Sequence, residues 1–157
     1  MRTYSTKKHL KSAWIARNSQ QTTKKPWGHE ESWSGFDGIH GKILFIDKDK
    51  KTSLKFNNLK VEVLLLKKGK IKVLFGNESS FIDPIANPLE TEILYPGDAL
   101  LVQSCCPYRI IALENSEIIE IGNHNSDKPV RVLDEYGRES EDIEDEDEEI
   151  DLEDMSE

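Results

Sequence analysis

The sequence contains only two cysteines, Cys105 and Cys106, and they are adjacent. Neighbouring side chains on a strand point to opposite faces, so these two thiols are poorly placed to bond with each other. No disulfide framework is therefore expected. This fits a reducing compartment and favours a cytoplasmic location.

Long apolar runs are also missing. The longest, Val61–Leu66, is interrupted by Glu62 and is far shorter than the roughly 20 residues that a membrane-spanning helix needs. The beginning of the chain is basic and lacks the apolar core of a secretory signal. We therefore expect neither a membrane span nor a membrane partner.

Each end of the chain carries charges of one sign only. Residues 1–25 contain Lys and Arg but no acid, whereas residues 139–157 contain Asp and Glu but no base. Like charges repel, and so acidic a stretch cannot bury enough apolar surface to fold alone. We predict a basic arm over residues 1–24, a folded domain over residues 25–138 and a disordered acidic tail over residues 139–157.

Within the arm, one short helix is expected from about His9 to Arg17. The arm's Lys and Arg residues have no interleaved aromatics or glycines, so a nucleic-acid partner is not expected. An alternative for the acidic tail is that it docks on a basic partner or on the arm itself.

Short runs of alternating apolar residues, separated by Gly, Pro and Asn, fill the middle of the chain. Thr52–Phe56 and Val61–Leu66 are predicted to form a hairpin around the polar turn at residues 57–60. Lys68-Gly69 and Pro96-Gly97-Asp98 are predicted turns. No helix is expected between residues 26 and 125, and many short strands of this kind are typical of an all-β sandwich or barrel.

Six segments of the folded region form a recognisable series in chain order. They are Lys25-Pro26-Trp27-Gly28-His29-Glu30, Gly41-Lys42-Ile43-Leu44, Ser53-Leu54, Leu59-Lys60-Val61-Glu62, Pro96-Gly97-Asp98 and Val130-Arg131-Val132-Leu133-Asp134-Glu135-Tyr136-Gly137-Arg138. Together they resemble the type II mannose-6-phosphate isomerase cupin, which also occurs fused behind mannose-1-phosphate guanylyltransferases. The resemblance covers about residues 25–138 and implies a double-stranded β-helix, the cupin or jelly-roll barrel.

The resemblance implies aldose–ketose isomerisation at a divalent metal such as Zn or Mn, which in that family is held by Gln, His, Glu and His. The matching positions here are Lys55, Asn57, Glu62 and Tyr108, so only the glutamate is retained. An ammonium group has no lone pair to donate, and a single carboxylate is a poor divalent-metal site. We therefore expect no metal and no other cofactor.

The substitutions suggest that the Lys55 ammonium takes the electrostatic place of the metal and pairs with Glu62, since a buried carboxylate without a cation is costly. Asn57 and Tyr108 would then bond each other or a ligand hydroxyl. In the related family the final segment returns to the barrel mouth, which makes Arg138, together with Arg109, a candidate anion contact.

Three function classes remain open at this point, and with them the question whether the protein is an enzyme. The first is a catalytically degenerate, metal-free cupin that binds a sugar phosphate, a nucleotide-linked sugar or a similar small anion. The second is an active sugar-phosphate isomerase or epimerase of GDP-mannose or polysaccharide metabolism. The third is a structural module that assembles through its charged termini. Family analogy adds a homodimer as an expected assembly.

Overall fold

Short antiparallel strands make up the ordered part of the molecule. The computed structural model describes residues 11–123 and 129–133, and within these ranges it contains strands and turns but no helix. No helix in this part of the chain is therefore long and apolar enough to cross a membrane. The strands are β1 (Gln21–Lys25), β2 (Gly28–Ser34), β3 (His40–Ile46), β4 (Leu54–Phe56), β5 (Glu62–Lys68), β6 (Ile71–Phe75), β7 (Glu90–Leu94), β8 (Ala99–Val102), β9 (Tyr108–Ala112), β10 (Ser116–Gly122) and β11 (Val130–Leu133).

The strands form two sheets. The six-stranded sheet has the order β1-β2-β3-β10-β5-β8, and the five-stranded sheet has the order β11-β4-β9-β6-β7. Buried side chains from both sheets form one apolar cluster, with Leu44 and Ile118 from the first and Val73 and Ile110 from the second. The predicted all-β class is confirmed.

Alternation along each strand decides which side chains enter this core. On β5, Leu64 and Leu66 are buried while Val63 and Leu65 are exposed. On β3, Leu44 and Ile46 are buried while Ile43 and Phe45 are half-buried. Trp27, which lies in the turn between β1 and β2, joins the same core. A strand period of two residues is sufficient to explain the pattern.

Two predicted turns depend on glycines with positive φ. Gly69 (φ 96°) joins β5 to β6, and Gly97 (φ 98°) precedes β8. A Cβ at Gly69 would lie 2.5 Å from the carbonyl oxygen of Asn115, so the close approach of that loop also requires glycine. Both turns lie where the sequence predicts them.

The predicted hairpin between residues 52 and 66 is wrong. β4 belongs to the five-stranded sheet, whereas β5 lies between β10 and β8 in the other sheet. The connecting loop makes its polar contacts with other loops: the Asn57 carbonyl accepts from the Cys105 amide at 2.6 Å, and the Val61 amide donates to Oδ1 of Asn123 at 2.8 Å. Because these contacts satisfy the loop, the chain crosses from one sheet to the other instead of folding back.

The predicted helix is absent over residues 11–17, and His9 lies outside the described residues. An isolated short helix is marginal unless an apolar face packs, and Trp14 packs instead edge-on against Phe36, with ring centroids 5.1 Å apart. β1 pairs with β2 from Gln21 onward, so the sheet begins inside the stretch assigned to the arm. Residues 139–157 lie outside the described part of the chain.

Both cysteines are free, as expected from their adjacency. Cys105 lies in the turn before β9 with a φ of 66°, and Cys106 packs against the apolar core. The two side chains therefore have separate surroundings despite their adjacency.

Candidate functional site

One end of the barrel interior is lined by charged side chains. β3 contributes His40 and Lys42, β10 contributes Glu120, and β5 contributes Glu62, all at inward-facing positions. The register places Glu120 opposite both Lys42 and Leu64, and Gly122 opposite both His40 and Glu62. The charged side chains therefore occupy two adjacent rows across three neighbouring strands.

Glu62 is the centre of this group, and it is only 4% exposed. Asn57 Nδ2 donates to its Oε1 at 2.9 Å, and the Tyr108 hydroxyl donates to its Oε2 at 2.9 Å. The structure thus brings together three of the four predicted site residues. Asn57 and Tyr108 bond the carboxylate rather than each other.

The ammonium group seated between the two carboxyl groups is that of Lys60. Its Nζ lies 3.6 Å from Oε1 of Glu62 and 3.5 Å from Oε2 of Glu120. The sequence assigned this pairing to Lys55, whose charge does act on Glu62 but more weakly than that of Lys60. Lys60 lies two residues before Glu62, in the loop that leads into β5.

Burial sets the protonation of Glu62. Removal from water and the nearby Glu120 carboxylate raise its pKa, the Lys60 charge opposes both effects, and the net result is a pKa raised from 4.5 to about 7. Burial also acts to raise the pKa of Glu120, but the hydrogen bond from His40, at 3.1 Å, and the charges of Lys60 and Lys42 hold it well below its usual range. Glu62 is therefore the member of this pair that takes up a proton first as the pH falls, while Glu120 stays ionised.

A third buried carboxylate extends the group toward β1. Glu30, 4% exposed, lies 3.8 Å from Lys25 Nζ and 3.2 Å from Lys42 Nζ. Since Lys42 also acts on Glu120, positive and negative side chains alternate from β1 to β5 across the inner face. Each buried charge consequently has a neighbour of opposite sign, as burial requires.

An interior cavity of about 30 Å³ adjoins this polar end. Trp27, Leu44 and Ile110 form its apolar wall. Its polar wall is built mainly by the five-stranded sheet. There the strand register places Lys55 on β4 opposite Arg131 on β11 and opposite Tyr108 on β9. The remaining polar lining residues are Lys25, Thr52, Ser53 and Glu120.

The donor set does not fit a divalent metal. In the ranges 11–123 and 129–133, no group of three or more His, Cys, Asp or Glu residues is placed to hold an ion. Lys55 offers no lone pair while it is charged, and both oxygens of Glu62 already accept hydrogen bonds. No step of any reaction is therefore assigned to a metal here.

Arg109 does not join the cavity lining. It follows Tyr108 on β9 and so faces the opposite side of the sheet, where its Nε donates to the Thr52 carbonyl at 2.8 Å. Arg138, the other predicted anion contact, lies outside the described residues. The part-buried Lys60 and the buried Glu120 and His40 are among the participants that were not predicted. The sequence contains a feature that could have indicated two of them. Lys60 is two residues before Glu62, and Glu120 continues the inward-facing positions of Ser116 and Ile118 along β10.

No protein-family model matches the chain, and no curated protein matches its sequence. Solved structures do match. An oxalate decarboxylase aligns with a TM-score of 0.62 at 14% identity, covering 76% of this chain and 33% of that one. KdgF from Halomonas sp. aligns with a TM-score of 0.57 at 13% identity, covering 72% of this chain and 95% of that one. The protein has the cupin fold.

A third cupin, CapF crystallised with the inhibitor 3-isopropenyl-tropolone, aligns with a TM-score of 0.54 at 10% identity, covering 66% of this chain and 29% of that one. The present chain thus spans about a third of the length of the oxalate decarboxylase and CapF chains, but nearly the whole length of the KdgF chain. At these identities the likeness shows the fold alone. The predicted double-stranded β-helix is confirmed, and the particular resemblance to mannose-6-phosphate isomerase stays a prediction.

Proposed function

We propose that this cupin-fold protein is a metal-free binding module, degenerate relative to mannose-6-phosphate isomerase, that takes a sugar phosphate or similar small anion into the polar end of its barrel. The observation that carries the proposal is the position of Lys60, whose ammonium lies between Glu62 and Glu120 at 3.6 and 3.5 Å. An internal cation there satisfies the carboxylates without an added ion, which supports a binding role in place of metal-assisted isomerisation.

The cavity supports an anionic ligand on electrostatic grounds. Lys25, Lys55 and Arg131 line it against the single carboxylate of Glu120. Cationic walls in a water-poor interior attract a negative group more strongly than the same charges do on the surface. The Tyr108 hydroxyl, which also lines the cavity, retains an oxygen lone pair for a ligand hydroxyl.

Binding can be tested by thermal unfolding of the purified full chain with mannose 6-phosphate, fructose 6-phosphate and, as the neutral control, mannose. Both phosphates should raise Tm in a concentration-dependent way, because they bind the folded state, and EDTA should not abolish the shift. Lys55→Met should reduce it, whereas Lys67→Met, at an exposed position on β5, should not. A stoichiometric Mn or Zn content in the purified protein, or equal shifts with mannose, would refute the proposal.

A metal-independent isomerase or epimerase is the second candidate, and one observation favours it. The pKa of Glu62 is about 7, which suits a group that takes up and releases a proton at neutral pH. Interconversion of mannose 6-phosphate and fructose 6-phosphate in the presence of EDTA, abolished in Glu62→Gln, would support this candidate over simple binding. The structural-module alternative, the homodimer and the cytoplasmic location remain predictions.

A further inference from the structure

Strands β4 and β11 form one corner of the cavity, and this corner is cationic because their register places two basic residues side by side. Arg131 on β11 is paired with Lys55 on β4, and Lys55 is paired in turn with Tyr108 on β9. All three side chains line the cavity. Like charges directly opposite each other on a sheet repel, so this arrangement favours a negative group in front of the pair.

Ser53 supplies a second, independent observation. It is 1% exposed, it lines the cavity, and its Oγ has no hydrogen-bond partner among the residues that the structure describes. A buried hydroxyl without a partner costs free energy, and such groups in folded proteins are nearly always satisfied by protein, water or ligand. The hydroxyl can donate to an oxyanion that also contacts Lys55 and Arg131.

The size of the cavity limits what can enter. Its volume of about 30 Å³ corresponds to about two water molecules, since one water needs roughly 10–15 Å³ measured in this way. One or two terminal oxygens of an oxyanion fit this space, with the central atom at its opening, whereas a hexose ring does not. The ring of a sugar phosphate would therefore remain at the mouth.

The charge of the lining distinguishes between oxyanions. Three cationic side chains and one carboxylate line the cavity, although Lys25 also lies 3.8 Å from Glu30 outside it. A phosphate monoester, with a charge of about −1.5 to −2 at pH 7, matches this excess better than a singly charged carboxylate does. Its terminal oxygens can accept hydrogen bonds from Ser53, Lys55 and Arg131.

We infer that this corner is the seat of the terminal phosphate of a phosphate monoester, held by Ser53, Lys55 and Arg131, with the rest of the ligand outside the cavity. The inference rests on the proposed function and specifies it, because it names the class of anion, the end of the ligand that enters and the hydroxyl that recognises it. Ser53 acts here as a binding residue and not as a packing residue.

The test is calorimetric titration of the full chain and of Ser53→Ala with inorganic phosphate, mannose 6-phosphate and acetate. Ser53→Ala should weaken both phosphates about tenfold, since a hydrogen bond to a charged group is lost. Without ligand, its Tm should equal or exceed that of the wild type, because the removed hydroxyl has no partner among the described residues. Ser80→Ala is the matched control: Ser80 is also buried, but its Oγ accepts from the Asn77 amide outside the cavity, so phosphate affinity should not change.

The outcomes separate this inference from the proposed function. Phosphate binding that depends on Ser53, with no gain for mannose 6-phosphate over inorganic phosphate, would support the phosphate seat and count against a sugar phosphate ligand. Mannose 6-phosphate binding that is unchanged in Ser53→Ala would overturn the phosphate seat and leave the proposed function standing. Acetate binding as tight as phosphate would overturn the assignment to a phosphate monoester. Failure of both phosphates to bind would overturn both proposals.

Discussion

The two ends of the barrel interior are built from the same strands but satisfy burial in different ways. Proceeding along β10, the inward side chain changes from Glu120 to Ile118, and along β5 it changes from Glu62 to Leu64. At the apolar end, Ile118 and Ile71 need only close contact with their neighbours. At the polar end, each buried carboxylate needs a donor or a cation at the correct distance. The apolar end therefore depends on volume, and the polar end on geometry and pH.

Removing volume from the apolar end should have the largest effect. Ile118 is fully buried at the centre of β10, so Ile118→Ala should lower the free energy of unfolding by about 4 kcal/mol. Ile121→Ala, on the same strand but 55% exposed, should cost less than about 1 kcal/mol. Urea unfolding measures both values. Equal losses would contradict the assignment of the core to the face that carries Ile118.

Removing the cation of the polar end should have the next largest effect. Lys60→Met leaves Glu62 and Glu120 without the ammonium between them and should cost about 3 kcal/mol at pH 8. The loss should be smaller at pH 5, where Glu62 is protonated in the folded state. Lys60→Arg should recover most of the stability because it restores the charge. A loss that is the same at both pH values would show that Lys60 acts through packing.

The polar end should also give the protein a characteristic pH dependence. The pKa of Glu62 is raised from 4.5 to about 7, so the folded state binds more protons than the unfolded state between those values. Stability therefore falls as the pH rises from about 5 to 8. The lowered pKa of Glu120 has the opposite consequence. The ionised Glu120 stabilises the folded state at neutral pH, and this stabilisation is lost only as the pH falls below 4.5, the ordinary pKa of a glutamate.

Glu62→Gln tests this dependence because the amide resembles the protonated acid. The variant should lack the wild type's loss between pH 5 and 8, on the order of 2 kcal/mol, when Tm or urea unfolding is measured across that range. Glu92→Gln, at an exposed position on β7, should keep the wild-type slope. If the slopes of the wild type and Glu62→Gln coincide, Glu62 is not the titrating group.

The smallest effect is expected from a single hydrogen bond at the polar end. Tyr108→Phe removes the donor that lies 2.9 Å from Glu62 while retaining the buried ring, and should cost about 1 kcal/mol at pH 8. Tyr95→Phe, at a residue 55% exposed, is the control and should have no measurable effect. A negligible change in Tyr108→Phe would mean that water replaces the hydroxyl, and the polar end would then be less tightly closed than the structure indicates.

Much of the fold follows from local sequence features. The alternation on β5, the glycines at 69 and 97 and the absence of helix over residues 26–123 were all predicted correctly, because each depends on neighbours within a few residues. The hairpin at residues 52–66 was not, since pairing depends on which strands lie alongside. Asn57, Glu62 and Tyr108 were assigned to one site, and they do lie together, but Asn57 and Tyr108 bond Glu62 instead of each other.

The identity of the central cation could not be predicted in the same way. Lys55 and Lys60 are equally plausible partners of Glu62 along the chain, being seven and two residues away. Only the crossing from one sheet to the other places Lys60 between Glu62 and Glu120, while Lys55 is aligned with Arg131 at the cavity wall. The sequence by itself determined the strands, their buried faces and the charges that those faces carry, because these properties are local. Tertiary structure decided which charges meet, because Glu120 reaches Lys60 through a register between strands that are distant in the chain.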